Sequence, residues 1–274
     1  MEQMETRQPA VAGMFYPADP HTLERDLRRF MPETEDQHDL LGCIAPHAGY
    51  MYSGAVAGRL YSHLRLPRRV VIMGPNHTGM GRAVSLAPGG AWSTPLGRER
   101  IDTDLASLLR EEFPRAELDA GAHRREHSIE VQIPFLQVKR PDLVVLPLCL
   151  QHLAIEDCLE LGRALAKAVQ RTGEPVGIVA SSDMSHYEPD EVAREHDRQA
   201  IDAALTLDPV GLYRTVHDHR ISMCGIIPAT VMVECVRHLG ATSAHLVGYA
   251  TSGDASGDRS AVVGYAGICI HRED

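Results

Sequence analysis

Short apolar runs bounded by turn residues alternate along this chain with longer stretches whose apolar positions recur every three to four residues. The run Val70-Val71-Ile72-Met73 passes without a polar break into Gly74-Pro75. That is the pattern of a strand buried on both faces that stops abruptly. Similar runs predict strands over 40–45, 143–148 and 176–180, and two later β segments over 244–250 and 260–270. Between them the 3.6-residue period predicts helices over 155–171, 190–205, 209–217 and 228–239. Alternating strands and helices of this kind imply an α/β fold, one domain over 1–274 with a central, mostly parallel sheet flanked by helices.

Local signals set the remaining elements. The segment 7–17, rich in turn formers and apolar residues, predicts an ordered arm. Asp19 and Thr22 cap a helix to about Met31, followed by an acidic surface loop over 33–39. Ser53-Gly54 opens a helix to about Arg65, and its small residues Ala55, Ala57 and Gly58 allow close packing on the sheet. Residues 82–102 predict a β excursion around Gly89-Gly90, and Asp102 or Thr103 caps a helix to Phe113. After a polar loop over 122–128, Ile129, Val131, Ile133, Phe135 and Leu136 mark a helix that Pro134 should kink. A Gly/Ser/Asp loop is expected over 251–257.

Three of the predicted strands run into loops that carry histidine: Pro46-His47 after the first, Asn76-His77 after the second, and Asp183-Met184-Ser185-His186 after 176–180. Loops at the carboxyl ends of strands hold the ligand site of an open α/β sheet. The strand-helix-strand unit from 40 to 73, if its strands pair in parallel, puts His47 and His77 at one edge. Cys224-Gly225 precedes a late helix, and two imidazoles with a third anionic ligand make a three-coordinate metal site with open positions. A helix start also favours the thiolate that a metal needs. Asp183 and His186, three residues apart, suit a carboxylate orienting an acid–base imidazole. Glu126 with His127 reads as a surface pair, and His21, His38, His63, His217, His219 and His271 read as solvated or incidental.

Composition narrows the partners. With 37 acidic and 27 basic side chains the formal charge is −10, which argues against a nucleic-acid partner. No apolar run is long enough to cross a bilayer, and residues 1–5 carry no basic-then-apolar signal, so no membrane association and a cytoplasmic location are expected. The six cysteines form no C-x-x-C pair and are expected to be mostly reduced core thiols.

Taken in order, Gly13-x-Phe15-Tyr16-Pro17, Pro46-His47-Ala48-Gly49-Tyr50, Gly74-Pro75-Asn76-His77, Trp92-x-Thr94-Pro95-Leu96-Gly97, Glu126-His127-Ser128, Ser181-Ser182-Asp183-x-Ser185-His186-Tyr187 and Val262-Val263-Gly264-Tyr265 give a chain that resembles the Memo family. The bacterial and archaeal branch of that family is named as protein B of the AmmeMemoRadiSam system. The family is similar to class III extradiol dioxygenases, which use non-haem Fe(II). The resemblance implies iron at His47 and His77, Cys224 where the dioxygenases place a carboxylate, and His186 at the position of their catalytic base. A thiolate is softer than a carboxylate and shifts preference toward copper or zinc. Asn76, Tyr52 and His127 are the candidates for contact with a small-molecule or peptide ligand. Gly225-Ile226-Ile227-Pro228 departs from other members and is expected to line the pocket. A functional link to radical-SAM and AMMECR-type proteins is implied by the family's name. The alternatives are a zinc-dependent hydrolase on the same site and a ligand-binding or signalling module without turnover. A serine hydrolase on Ser182 or Ser185 is disfavoured because there is no G-x-S-x-G elbow.

Overall fold

The computed structural model describes residues 6–273; residues 1–5, in which no signal pattern was found, lie outside them. Four strands make the parallel centre of a 12-stranded sheet, in the spatial order Val144–Leu150, Arg69–Pro75, Val176–Ser181, Gly42–Ala45. Val262–His271 then runs antiparallel to Gly42–Ala45, and Ser243–Thr251 antiparallel to Val262–His271. At the other side Val84–Leu86, Ala91–Thr94 and Gly97–Ile101 form the β excursion. Thr6–Arg7 pairs with Ala91–Thr94 beyond it.

The unbroken apolar runs have the cause inferred from the sequence: alternate residues feed two cores. Val71, Met73, Leu146, Leu148, Ile178 and Ala180 face one cluster with the helices Thr103–Glu112, Ile155–Thr172 and Ile226–His238. Val70, Ile72, Val145 and Val179 face a second cluster with the helices Pro20–Phe30, Tyr50–Ser62 and Ile133–Lys139. A strand covered on both sides has no reason to alternate polar with apolar residues. Five of the six cysteines are buried, and all six are free thiols.

Several expectations are corrected. The strands bearing His47 and His77 are not neighbours, because Val176–Ser181 lies between them. The helix expected from Ser53 begins at Tyr50, whose N–H donates to the Phe15 carbonyl; no side chain caps it. Pro134 kinks nothing: a 3₁₀ turn over Glu130–Gln132 leads into the helix Ile133–Lys139, and Pro134 sits in its first turn, where no N–H is required. The 251–257 loop contains the short helix Ser252–Ser256, closed by a capping box between Thr251 and Asp254. Within 33–39, His38–Asp39 pairs as a strand with Leu64–Arg65.

Buried Glu130 holds the N-terminal arm. Its carboxylate accepts from the N–H groups of Ala10 and Val11, from the Tyr16 hydroxyl at 2.6 Å and from Arg7 at 2.7 Å. A buried charge with four donors, one of them cationic, has its desolvation offset.

Candidate metal centre

The carboxyl ends of the central strands converge on one cluster. His47 follows Gly42–Ala45, His77 follows Arg69–Pro75, and Ser181 ends the strand between them. The His47 and His77 rings have centroids 5.2 Å apart and are nearly perpendicular. Cys224 enters from the far side of the loop over 182–186, with Sγ 3.3 Å from His47 Nε2. The ligand atoms of His47, His77 and Cys224 lie within 4.8 Å of one another.

Hydrogen bonds decide which ring nitrogens are available. The Ser181 hydroxyl donates its only proton to the Ser128 carbonyl at 2.6 Å and accepts from Gln132 Nε2. Its remaining bond, 3.0 Å to His47 Nδ1, must therefore be one in which the imidazole donates. His47 Nδ1 carries the hydrogen and Nε2 presents a lone pair toward Cys224. His77 is fixed similarly, with Nδ1 2.9 Å from the Glu126 carboxylate. Glu126 is fully buried and also accepts from the backbone N–H groups of His77, His127 and Ser128. Burial pushes its carboxyl up, but the hydrogen bonds from His77 and the backbone N–H groups outweigh it and hold it at about 2. An ionised carboxylate can only accept, so His77 Nδ1 carries a hydrogen and Nε2 is the ring nitrogen that Glu126 leaves unengaged.

The electrostatics disfavour charge on His47 and His127. Burial lowers the pKa of His47 well below its ordinary value, and His127, His77 and His186 push in the same direction. Burial and His77 lower that of His127, which stacks on His77 with centroids 4.6 Å apart. Burial and then Asp183 raise the Cys224 thiol. Asp183, also enclosed, is pushed by burial to about 7 against hydrogen bonds from the His47 and Ala48 N–H groups. Two imidazole nitrogens and a thiol, beside an enclosed carboxyl and with only His77 exposed, make a compact donor set. This donor set fits a divalent metal ion, which would hold the sulfur as thiolate. The alternative grouping His77, Glu126 and His127 is a poorer one, because Glu126 is already occupied by hydrogen bonds.

Two glycines make room. A Cβ at Gly225 would collide with the Ser181 carbonyl and the Ser182 side chain, and one at Gly74 with the Ser128 side chain. Their absence lets the Cys224 segment and the Glu126–Ser128 segment close onto the strand ends. Ile226 and Ile227 do not line the pocket as expected; they are buried in the main apolar core.

The remaining candidates are distributed unevenly. Asp183 does not orient His186: one carboxylate oxygen takes the His47 N–H at 2.7 Å and the other lies 3.9 Å from His47 Nε2. His186 Nδ1 instead donates to the Ser222 carbonyl at 2.9 Å, which leaves its Nε2 basic. Asn76 is turned into its own loop, its Oδ1 accepting from Thr78 and Gly79 and its Nδ2 donating to Met80 O, so it is not free to meet a ligand. Tyr52 is exposed on the first turn of its helix. Tyr187 is 79% exposed with φ +60°, an uncommon conformation for a bulky residue. Glu126 is the main residue missed: it is no surface pair with His127, and only its position between the loop's histidines hinted otherwise. Nothing local marked Ser181 or Gln132 as tautomer-setting groups.

Comparison with known proteins agrees with the motifs. A family model described as Memo-like protein matches residues 7–269. The chain is 44% identical over 266 residues to a MEMO1 family protein of Methanosarcina barkeri, covering 96% of this chain and 99% of that one. It is 42% identical to one of Methanothermobacter thermautotrophicus (95% and 98% covered) and 40% identical to one of Pyrobaculum aerophilum (98% and 100% covered). Among solved structures, an uncharacterized protein of Escherichia coli K12 superposes with a TM-score of 0.56 at 15% identity, covering 84% of this chain and 99% of that one, a likeness of fold alone. With the His/His/Cys cluster at the strand ends and these matches along nearly its full length, the chain belongs to the Memo family.

Proposed function

We propose that this Memo-family chain is a non-haem, metal-dependent oxygenase-like enzyme, with Fe(II) held by His47, His77 and Cys224. The observation that carries it is the convergence of one ring nitrogen from each of His47 and His77 and the Cys224 sulfur within 4.8 Å of one another, each imidazole anchored through Nδ1. Iron bound there would supply open positions for a substrate oxygen and for dioxygen. His186, with Nδ1 anchored on Ser222 O, takes a proton at Nε2. Asp183 anchors the His47 backbone, and His127, stacked on His77 and 4.8 Å from the Phe15 ring, walls the pocket toward the N-terminal arm. The ligand is a small molecule or a peptide terminus that presents an anionic or phenolic oxygen.

Cys224 in the third position favours one second reading, in which His47, His77 and Cys224 would hold zinc and the metal would supply the chemistry of hydrolysis. The two are separated by metal content of protein purified without oxygen, for wild type beside Cys224→Ser and His77→Ala. About one iron per chain, lost in both variants, supports the oxygenase reading. Zinc retained in its place, with turnover independent of oxygen, supports hydrolysis. Metal content unchanged by either substitution overturns both.

A further inference from the structure

A second histidine cluster stands at the opposite edge of the sheet. His271 ends the strand Val262–His271, His245 lies on the antiparallel strand Ser243–Thr251, and His38 belongs to the short strand paired with Leu64–Arg65. The register pairs Ser243 with His271 and His245 with Cys269. His245 and His271 are therefore diagonal neighbours on one face of the sheet. His38 stacks on His271 with centroids 4.0 Å apart and meets His245 edge-on at 5.0 Å. One ring nitrogen from each of the three lies within 4.8 Å of the others. These histidines, expected to be solvated or incidental where they were considered at all, are half-buried or buried.

Two further observations point to a ligand. His245 Nε2 is buried and has no hydrogen-bond partner among the described residues. Such a group is costly unless something fills its place. The Asp36 carboxylate lies 3.1 Å from His38 Nε2 and 4.0 Å from His63 Nε2, which places an acidic side chain against one of the three rings. The adjoining surface groove is lined by Gln37, His38, Asp39, Arg65 and His271 and gives an entry path. Arg65 on its rim is tied to Asp39 and the Gln37 carbonyl.

We propose that His38, His245 and His271 form a second metal site, of the zinc(II) class, with Asp36 as a fourth ligand or as the acceptor that orients His38. Three imidazoles with a carboxylate suit a borderline divalent ion and no redox chemistry. Its role is structural: the ion clamps the 33–39 segment to the terminal hairpin. The proposal is independent of what occupies the first site.

Cobalt(II) is the probe, because a thiolate ligand gives an intense near-ultraviolet charge-transfer band and imidazole ligands do not. Titration of the full chain is expected to reach two equivalents, only one of them with the thiolate band. Cys224→Ser/His77→Ala removes that band and leaves one equivalent, which zinc displaces. His245→Ala/His271→Ala keeps the band and loses the other equivalent; His38→Ala, at the half-exposed ligand, weakens it with no change in circular dichroism. Zinc is expected to raise the Tm of Cys224→Ser/His77→Ala but not of a variant that also lacks His245 and His271. A Cys224→Ser/His77→Ala chain that binds no cobalt or zinc overturns the proposal, as does stoichiometry unaffected by loss of His38, His245 and His271.

Discussion

At the scale of single residues, the candidate metal centre is set by atoms that would not touch the metal. Ser181 has one proton and gives it to Ser128 O, and this alone determines which nitrogen of His47 is free. Glu126 does the same for His77 while taking three backbone N–H groups. Replacing it by glutamine keeps the size but puts an amide where only an acceptor fits. Glu126→Gln is expected to weaken metal binding by about 10–100-fold, read by competition with a chromogenic chelator, with thermal unfolding run in parallel to separate ligand orientation from folding. Unchanged affinity in a folded variant would mean that the carboxylate does not position His77.

At the scale of elements, the site depends on close approach between the start of the helix Ile226–His238 and the end of the strand Val176–Ser181. Gly225 sits at that crossing, where a Cβ would strike both the Ser181 carbonyl and the Ser182 side chain. Gly225→Ala is therefore expected to cost about 1–3 kcal/mol as an overpacking change and to displace Cys224. Denaturant unfolding reads the first effect. Loss of the cobalt–thiolate band, with the imidazole-only equivalent retained, reads the second. A variant as stable as wild type with an intact band would show that the crossing has slack. The glycine is legible in the sequence, but the element it must approach is not, since residues 181 and 225 meet only in the folded chain.

At the scale of the whole molecule, ion pairs outside the site tie the last hairpin to the helices. Asp190 accepts from Arg194 at 2.9 Å, from Thr251 at 2.6 Å and from Arg259 at 2.6 Å. These bonds, Arg194 first, hold its carboxyl at about 2. A carboxyl depressed in the folded state contributes stability that is present in full above the unfolded value of about 4 and is lost as pH falls through the folded one. Arg194 and Arg259 are partly exposed, so screening reduces the contribution to about 1–2 kcal/mol. Asp190→Asn is expected to be less stable than wild type by that amount at pH 7, with the two curves converging as pH approaches 2. A gap that persists at low pH would assign the loss to packing.

The periodicity of the chain by itself determined the α/β class and most elements, because burial on both faces leaves an unbroken apolar run and an amphipathic helix leaves a 3.6-residue stripe. It also put His47 and His77 after strand ends, since the turn residues that stop a strand are local. It did not determine strand order, so the insertion of Val176–Ser181 between their strands was invisible, as was the consequence that Ser181 lies against His47. Nor did it reveal that Asp183 serves His47 while His186 leans on Ser222: within one loop, side chains choose partners supplied by distant segments. Glu126 and His38, His245 and His271 look like ordinary surface residues in one dimension. Whether a polar side chain meets water or another polar group is decided by what folds over it, and that contact exists only in the tertiary structure.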